Sequence, residues 1–270
     1  MGAPSSPAVV RKSRRTEMNL ARFDQRIRRA EDLAVAHPFA AEVLRFYQRV
    51  ATLQKGLYGY LKESSAADLT SLLSKFPEFL SEIETIAPEP IVKSAREWKS
   101  RGMDGSLALL ESHWGSTSTA GDPEALLAWL FLQPYAEYLA GHTGAALRDE
   151  TPAACPFCSR KPVVGVLRPE GDGAKRSLIC SMCSSEWPFG RIICPGCGEQ
   201  TVEKLAIYTA EQFEHVRVEA CDTCGGYIKT VDLTKNGRAV PIVDELATIP
   251  LNLWAQERGY VKLQTNILGI

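Results

Sequence analysis

The chain has 270 residues, 45% of them hydrophobic and 23% charged, and a formal net charge of −1. That is ordinary for a folded globular protein, with room for two domains of usual size. The longest uncharged apolar run, Ala125 to Leu132, is far short of the roughly 20 residues a membrane-spanning helix needs, so no membrane insertion is expected.

Residues 1–18 read as a disordered leader. Ser13-Arg14-Arg15-Thr16 looks like a twin-arginine export signal, but Leu20 to Arg26 is charged where an apolar stretch is required, so a cytoplasmic location is expected. Arg11, Lys12, Arg14 and Arg15 then read as a solvated tail rather than a nucleic-acid arm.

Residues 19–150 read as an α-helical domain, a bundle of about five helices. The clearest apolar stripe is Phe46, Val50, Leu53, Leu57 and Tyr60, at an alternating four-three spacing. Gln54 falls in a neighbouring stripe with Val43, Tyr47, Val50, Leu57 and Leu61, and reads as an edge residue. His37-Pro38, Glu63-Ser64-Ser65, Pro88-Glu89-Pro90 and Gly115 to Gly121 are the breaks. Asp122-Pro123-Glu124 starts a helix, with Asp as N-cap and Pro at the first helical position. Pro134 should kink that helix.

Thr151-Pro152-Ala153-Ala154 marks the passage to a second half of short β-hairpins, with turn signals at Gly171-Asp172-Gly173 and Asn236-Gly237. The expected units are a first four-cysteine ribbon over residues 151–190, a second over 191–240, and a C-terminal helix and tail over 241–270. Leu253 and Trp254 on that helix should pack back on the protein. The fold class is therefore α+β.

All eight cysteines lie in this half as four Cys-x-x-Cys pairs: Cys155/Cys158, Cys180/Cys183, Cys194/Cys197 and Cys221/Cys224. The gaps between pairs are 21, 10 and 23 residues, a long-short-long order that indicates two similar units in tandem. Each unit has the form of a metal ribbon, in which two knuckles bring four thiolates into a tetrahedron around one ion. The first set is Cys155, Cys158, Cys180 and Cys183; the second is Cys194, Cys197, Cys221 and Cys224. Both units open with Cys-Pro-x-Cys, and both carry an Arg four residues before the third cysteine, Arg176 and Arg217.

The residue after the second Cys of a knuckle often needs positive φ, which Gly adopts freely. Gly198 and Gly225 meet this in the second unit. Ser159 and Ser184 stand there in the first, which should make its knuckles more strained or its ion more labile. A closed four-cysteine site has no open coordination position, so its work is structural, redox or metal handling. Spacing alone favours zinc over iron.

Competing readings follow from the same residues. Structural disulfides would require an oxidising compartment. A thiol-disulfide oxidoreductase would need a Cys-x-x-Cys at a helix N-terminus after a βαβ pattern, whereas these pairs lie among strand-like runs. A nucleic-acid-binding ribbon would need a basic face, and residues 151–270 hold thirteen Lys/Arg against thirteen Asp/Glu. His37, His113, His142 and His215 are scattered, and His215 sits beside a set that already has four thiolates. No catalytic triad, paired-carboxylate motif or nucleotide fingerprint stands out, so the chain does not read as an enzyme. Glu186, Trp187 and Arg191 read as packing and ion-pair residues of the inter-ribbon turn.

The chain resembles the formate dehydrogenase accessory protein FdhE family over roughly residues 20–265. The likeness is carried by Ala36-His37-Pro38, the Cys155-Pro156-Phe157-Cys158 start, Cys180 to Trp187, Arg191-Ile192-Ile193-Cys194, Glu219 to Cys224 with Tyr227 and Lys229, and the stretch from Asp244 to Tyr260. It implies a cytoplasmic, non-catalytic helper that associates with the catalytic subunit of formate dehydrogenase and carries iron, one per four-cysteine site, in rubredoxin-like ribbons. The helical half would supply the docking surface.

Overall fold

The computed structural model describes residues 7–64, 68–115, 122–142 and 152–270, with side chains from Leu20 onward. Its helical half contains α1 (Pro7–Ala36), α2 (Ala41–Glu63), α3 (Leu69–Leu73), α4 (Phe76–Ile86), α5 (Glu89–Ser100), α6 (Gly102–Gly115) and α7 (Pro123–His142). The leader expected over residues 1–18 is already helical from Pro7, and residues 1–6 lie outside the described residues. So do the side chains of the basic cluster at residues 11–15 and most of the break after Gly115.

Helix α1 ends where Pro38, lacking an N–H, opens a short 3-10 turn, and α2 returns antiparallel. On α2 the deeply buried face is the neighbouring stripe, Tyr47, Val50, Gln54, Leu57 and Leu61, while Phe46, Leu53 and Tyr60 are half-buried. Helix α7 begins as its sequence indicates, with Asp122 Oδ1 accepting from Ala125 N at 2.8 Å. Its residues from Ala125 to Pro134 are all buried, as expected of a helix apolar on every side at the centre of a bundle.

Pro134 does not end α7. Proline cannot donate to the carbonyl four residues back, here Leu130 O. Gln54 Nε2 donates to that carbonyl instead, at 2.9 Å, and to Gln133 Oε1 at 3.1 Å. Gln54 is therefore no edge residue. It is 1% exposed and supplies the donor that Pro134 lacks.

The second half contains β1 (Pro162–Glu170), β2 (Gly173–Cys180), β3 (Glu186–Pro188), β4 (Leu205–Thr209), β5 (Val216–Cys221), β6 (Gly226–Asp232), α8 (Pro241–Ala247), α9 (Ile249–Glu257) and β7 (Val261–Lys262). The two expected ribbons are not free-standing. They merge into one sheet of order β3-β2-β1-β6-β5-β4, with β7 added to β6. The seam is a parallel pairing of β1 with β6, where Gly165 faces Thr230. A Cβ on Gly165 would lie 2.3 Å from Thr230 Oγ1, so the seam needs glycine there.

Gly171-Asp172-Gly173 turns the β1–β2 hairpin as expected. Asn236-Gly237 does not turn a hairpin, because the chain passes from there into α8. The expected single C-terminal helix is two, divided at Thr248, since Pro250 cannot donate to Leu246 O. Thr248 Oγ1 donates to the carbonyls of Asp244 and Glu245 at the α8 end. Leu253, expected to be covered, is 56% exposed. Trp254 is half-buried, 4.6 Å from the Tyr208 ring and 4.1 Å from the Arg258 guanidinium.

One apolar core runs from the helices into the first ribbon, joining Leu44, Leu127 and Phe131 to Cys180, Met182, Trp187 and Val243. A second lies within the sheet and under α9, with Val164, Val218, Tyr227, Val231 and Leu251. Beneath the seam, fully buried Lys229 on β6 pairs with fully buried Glu245 on α8 at 2.9 Å, and Lys262 and Asn266 also reach that carboxylate. Burial alone would raise the Glu245 carboxyl, but Lys229 and Lys262 hold it down at about 2. No helix among the described residues is long and apolar enough to cross a membrane.

Candidate metal centres

The fold gathers the eight cysteines into two sets of four, each with its sulfurs within 4.8 Å of one another. The sets are Cys155, Cys158, Cys180 and Cys183 (site one) and Cys194, Cys197, Cys221 and Cys224 (site two). Each knuckle is made by a local turn. Cys155 N donates to Arg160 O at 2.8 Å and Cys194 N to Glu199 O at 2.9 Å, so the two first knuckles close in the same way. Ser159, Ser184, Gly198 and Gly225 all have positive φ, at 57°, 51°, 80° and 65°. The backbone demand inferred from the knuckle pattern is thus met at all four positions, by serine twice.

Sulfur separations distinguish a metal site from a disulfide. At site one the closest pairs are Cys158–Cys180 at 3.4 Å, Cys155–Cys183 at 3.5 Å and Cys158–Cys183 at 3.6 Å. At site two they are Cys197–Cys221 at 3.7 Å and Cys194–Cys224 at 3.8 Å. A disulfide needs about 2.05 Å. A tetrahedral ion with metal–sulfur bonds of about 2.3 Å requires edges of about 3.8 Å. The donor set and its spacing therefore fit a tetrathiolate ion, and all eight cysteines are free.

Backbone N–H groups point at the sulfurs, Met182 N to Cys180 Sγ at 3.4 Å and Gly196 N to Cys194 Sγ at 3.3 Å. Within site one, hydrogen bonding from its neighbours drives the Cys158 thiol far down, while burial drives Cys180 well up. At site two burial pushes Cys194 up to about 12. Four thiolates within 4.8 Å of one another repel unless a cation sits among them, which ties metal binding to proton release.

Site one is built into the helical half. Gln133 and Glu137, one turn apart on α7, both reach its second knuckle. Gln133 Nε2 donates to Ser181 O at 3.3 Å, and Ser184 Oγ donates to Glu137 Oε1 at 2.7 Å. The same Glu137 oxygen accepts from Arg26 of α1 at 2.7 Å, and this ion pair is buried. Arg160, next to the first knuckle, donates through Nη2 to the carbonyls of His113 and Trp114 at 3.0 and 3.1 Å, satisfying the last turn of α6. Its Nη1 is buried without a partner. A cavity of about 220 Å³ lies beside it, lined by Trp114, Phe157, Cys158, Arg160 and Met182.

Site two faces outward. Cys194 and Cys221 are buried, but Cys197 and Cys224 are exposed. The position matching Arg160 is Glu199, which accepts from Thr223 Oγ1 at 2.6 Å and so ties the two knuckles of site two to each other. Leu263, just after β7, covers one side. A Cβ on Gly196 or Gly226 would come 2.6 or 2.5 Å from its Cδ2.

The two matching arginines meet at one carboxylate. Arg176 Nη2 and Arg217 Nη2 each donate to Glu219 at 2.6 Å, and Arg176 Nη1 donates to Gly190 O at 2.7 Å in the linker between the sites. In the same linker Trp187 Nε1 donates to Pro152 O, Glu186 takes both ends of Arg168, and Arg191 donates to Ala174 O. His215 belongs to neither site and pairs with Asp244, which Arg29 also holds. The roles of Arg160, Gln133, Glu137 and Glu219 carry no local sequence signal. Only the repeated Arg176/Arg217 position hinted at that junction.

Family models for the FdhE central domain and the FdhE C-terminal domain match residues 154–191 and 192–268. A "Protein FdhE homolog" from Aquifex aeolicus is 37% identical over 117 residues, 43% of this chain and 41% of that protein. One from Edwardsiella ictaluri is 31% identical over 157 residues, 56% of this chain and 50% of that protein. The match to each of these two thus spans half or less of the relative's length. A homologue from Haemophilus influenzae (strain PittGG) is 26% identical over 270 residues, 90% of this chain and 87% of its own. The crystal structure of the FdhE protein from Pseudomonas aeruginosa shares the fold, with a TM-score of 0.70 and 24% identity over 91% of this chain and 95% of that one.

Proposed function

The chain belongs to the FdhE family, and from that premise we propose that it is a non-catalytic accessory protein needed for active formate dehydrogenase, associating with that enzyme's catalytic subunit in the cytoplasm. The observation that carries this reading is the pair of four-cysteine clusters at tetrahedral spacing on one sheet. Cys155, Cys158, Cys180 and Cys183 hold one ion and Cys194, Cys197, Cys221 and Cys224 a second, with iron favoured through the family likeness and zinc as the alternative.

A bound iron supplies a one-electron couple that changes the charge of a tetrathiolate by one without changing its ligand number. The chain's own residues translate such a change. The N–H groups of Met182 and Gly196 point at sulfur and would strengthen or weaken with the charge on the cluster, while Arg176 and Arg217 converge on Glu219 at the junction between the sites. Four thiolates leave no open position for substrate. The helical half, fastened to site one, supplies the docking surface.

The test is elemental analysis of anaerobically purified full-length protein, followed by complementation of a strain lacking it. Two irons per chain and loss of formate dehydrogenase activity with Cys155→Ser or Cys194→Ser are expected; unchanged enzyme activity with both substitutions would sink the reading.

A further inference from the structure

The two clusters share a motif but not an environment. At site one three sulfurs are buried and the fourth is half-buried; at site two Cys197 and Cys224 are exposed. The second knuckle of site one is gripped by α7 through Gln133 and Glu137, and behind these stand Gln54 of α2 and Arg26 of α1. Its first knuckle is flanked by Arg160, a buried cation that caps α6. Site two has glycines at residues 196, 198, 225 and 226. Its matching side chain is the anionic, half-buried Glu199, which accepts from Thr201 N and from Thr223 of the second knuckle, and Leu263 covers one side.

For an ion to leave a tetrathiolate, an incoming ligand must reach it and one thiolate must swing away. At site one three sulfurs are covered and only Cys158 is half-buried, beside the Arg160 cavity, and movement of the second knuckle breaks hydrogen bonds to α7. At site two an incoming ligand meets Cys197 and Cys224 directly, and glycine-flanked turns let either sulfur move. Arg160 also places positive charge beside the thiolates of site one, which lowers the cost of burying their negative charge. Site two has a carboxylate at that position.

We propose that the clusters are functionally unequal: site one is a permanent structural centre that fastens the helices to the sheet, and site two is the exchangeable centre, open through Cys197 and Cys224 to chelators or to a partner's ligands. This rests on the reading of both clusters as metal sites. It reverses the order expected from Ser159 and Ser184 alone. The Ser184 hydroxyl, which a glycine would lack, anchors that knuckle to Glu137.

The experiment counts metal in the full-length protein over time in excess EDTA. Each chain should begin with two ions and lose them in two phases, one ion at least about tenfold faster than the other, equivalent to ~1.4 kcal/mol in barrier. Cys224→Ser should abolish the fast phase and keep the slow one. Ser184→Gly, which frees φ but removes the hydroxyl, should speed the slow phase and leave the fast one unchanged, with helix content unaltered by circular dichroism. A single phase for both ions, a fast phase that survives Cys224→Ser, or a Ser184→Gly variant whose slow phase is unchanged would each overturn the inference. Fewer than two ions at the start would instead overturn the metal-site reading, and the inference with it.

Discussion

Site one and site two begin from the same instruction, two Cys-x-x-Cys knuckles a hairpin apart, and their first knuckles close with the same backbone bonds. They end in different places. Site one lies where α6, α7 and the sheet meet, and its cysteines belong to the core of the helical half. Site two lies near the outer strands β4 and β5, held by its own knuckles and by Leu263. The difference teaches that a metal ribbon's local sequence specifies the ligand cage, while the residues just outside it decide whether the cage is a rivet or a port. Arg160 against Glu199, and Ser184 with its Glu137 partner against Gly225, are the substitutions that separate the two.

The largest effect that could break this contrast comes from the ligands themselves. Cys180→Ser should destabilise the whole chain by on the order of 4–5 kcal/mol, the scale of losing a buried structural centre, whereas Cys197→Ser, which loses an ion that fastens no helix to the sheet, should cost about 1–2 kcal/mol. Chemical denaturation of both variants compares them; equal losses would erase the distinction.

The seam beneath both sites offers a control that should not discriminate. Glu245→Gln leaves Lys229 buried beside a neutral partner, for an expected loss of about 3–5 kcal/mol that weakens metal retention at both sites alike. The acid limb of the wild-type stability curve reports the same group. With its folded pKa at about 2, below the ordinary 4.5, Glu245 contributes in full above about pH 4.5, and the contribution fades as pH falls toward 2. Denaturant midpoints measured from pH 6 to pH 2 should show this slope, and Glu245→Gln should flatten it.

A smaller and one-sided effect is expected from Arg160→Met, which leaves the His113 and Trp114 carbonyls without their donor. The loss should be about 1–3 kcal/mol, with faster metal release from site one and unchanged release from site two. Smallest is the exchange of backbone demands. Ser159→Gly should stabilise the protein by about 1 kcal/mol by relieving a left-handed serine, and Gly198→Ala should cost about as much. Thermal midpoints of the pair give the comparison.

What the sequence determined by itself is whatever a few consecutive residues decide. The spacing of the pairs assigned the cysteines to two groups, the knuckle pattern located the four positive-φ positions, and Asp122-Pro123 marked the start of α7, because turns and caps depend on backbone torsions and hydrogen bonds three or four residues apart. Only the tertiary structure decided the rest. Gln54 looked like an edge residue until the fold placed it against Leu130, 76 positions away, to replace the donor that Pro134 lacks. Nothing in the two ribbons announced that β1 and β6 would pair in parallel with Gly165 against Thr230, since parallel strands meet without a turn to signal it. The burial of site one and the exposure of site two likewise depend on which knuckle α7 crosses, and that is set by how the helical core packs on the sheet rather than by the motif.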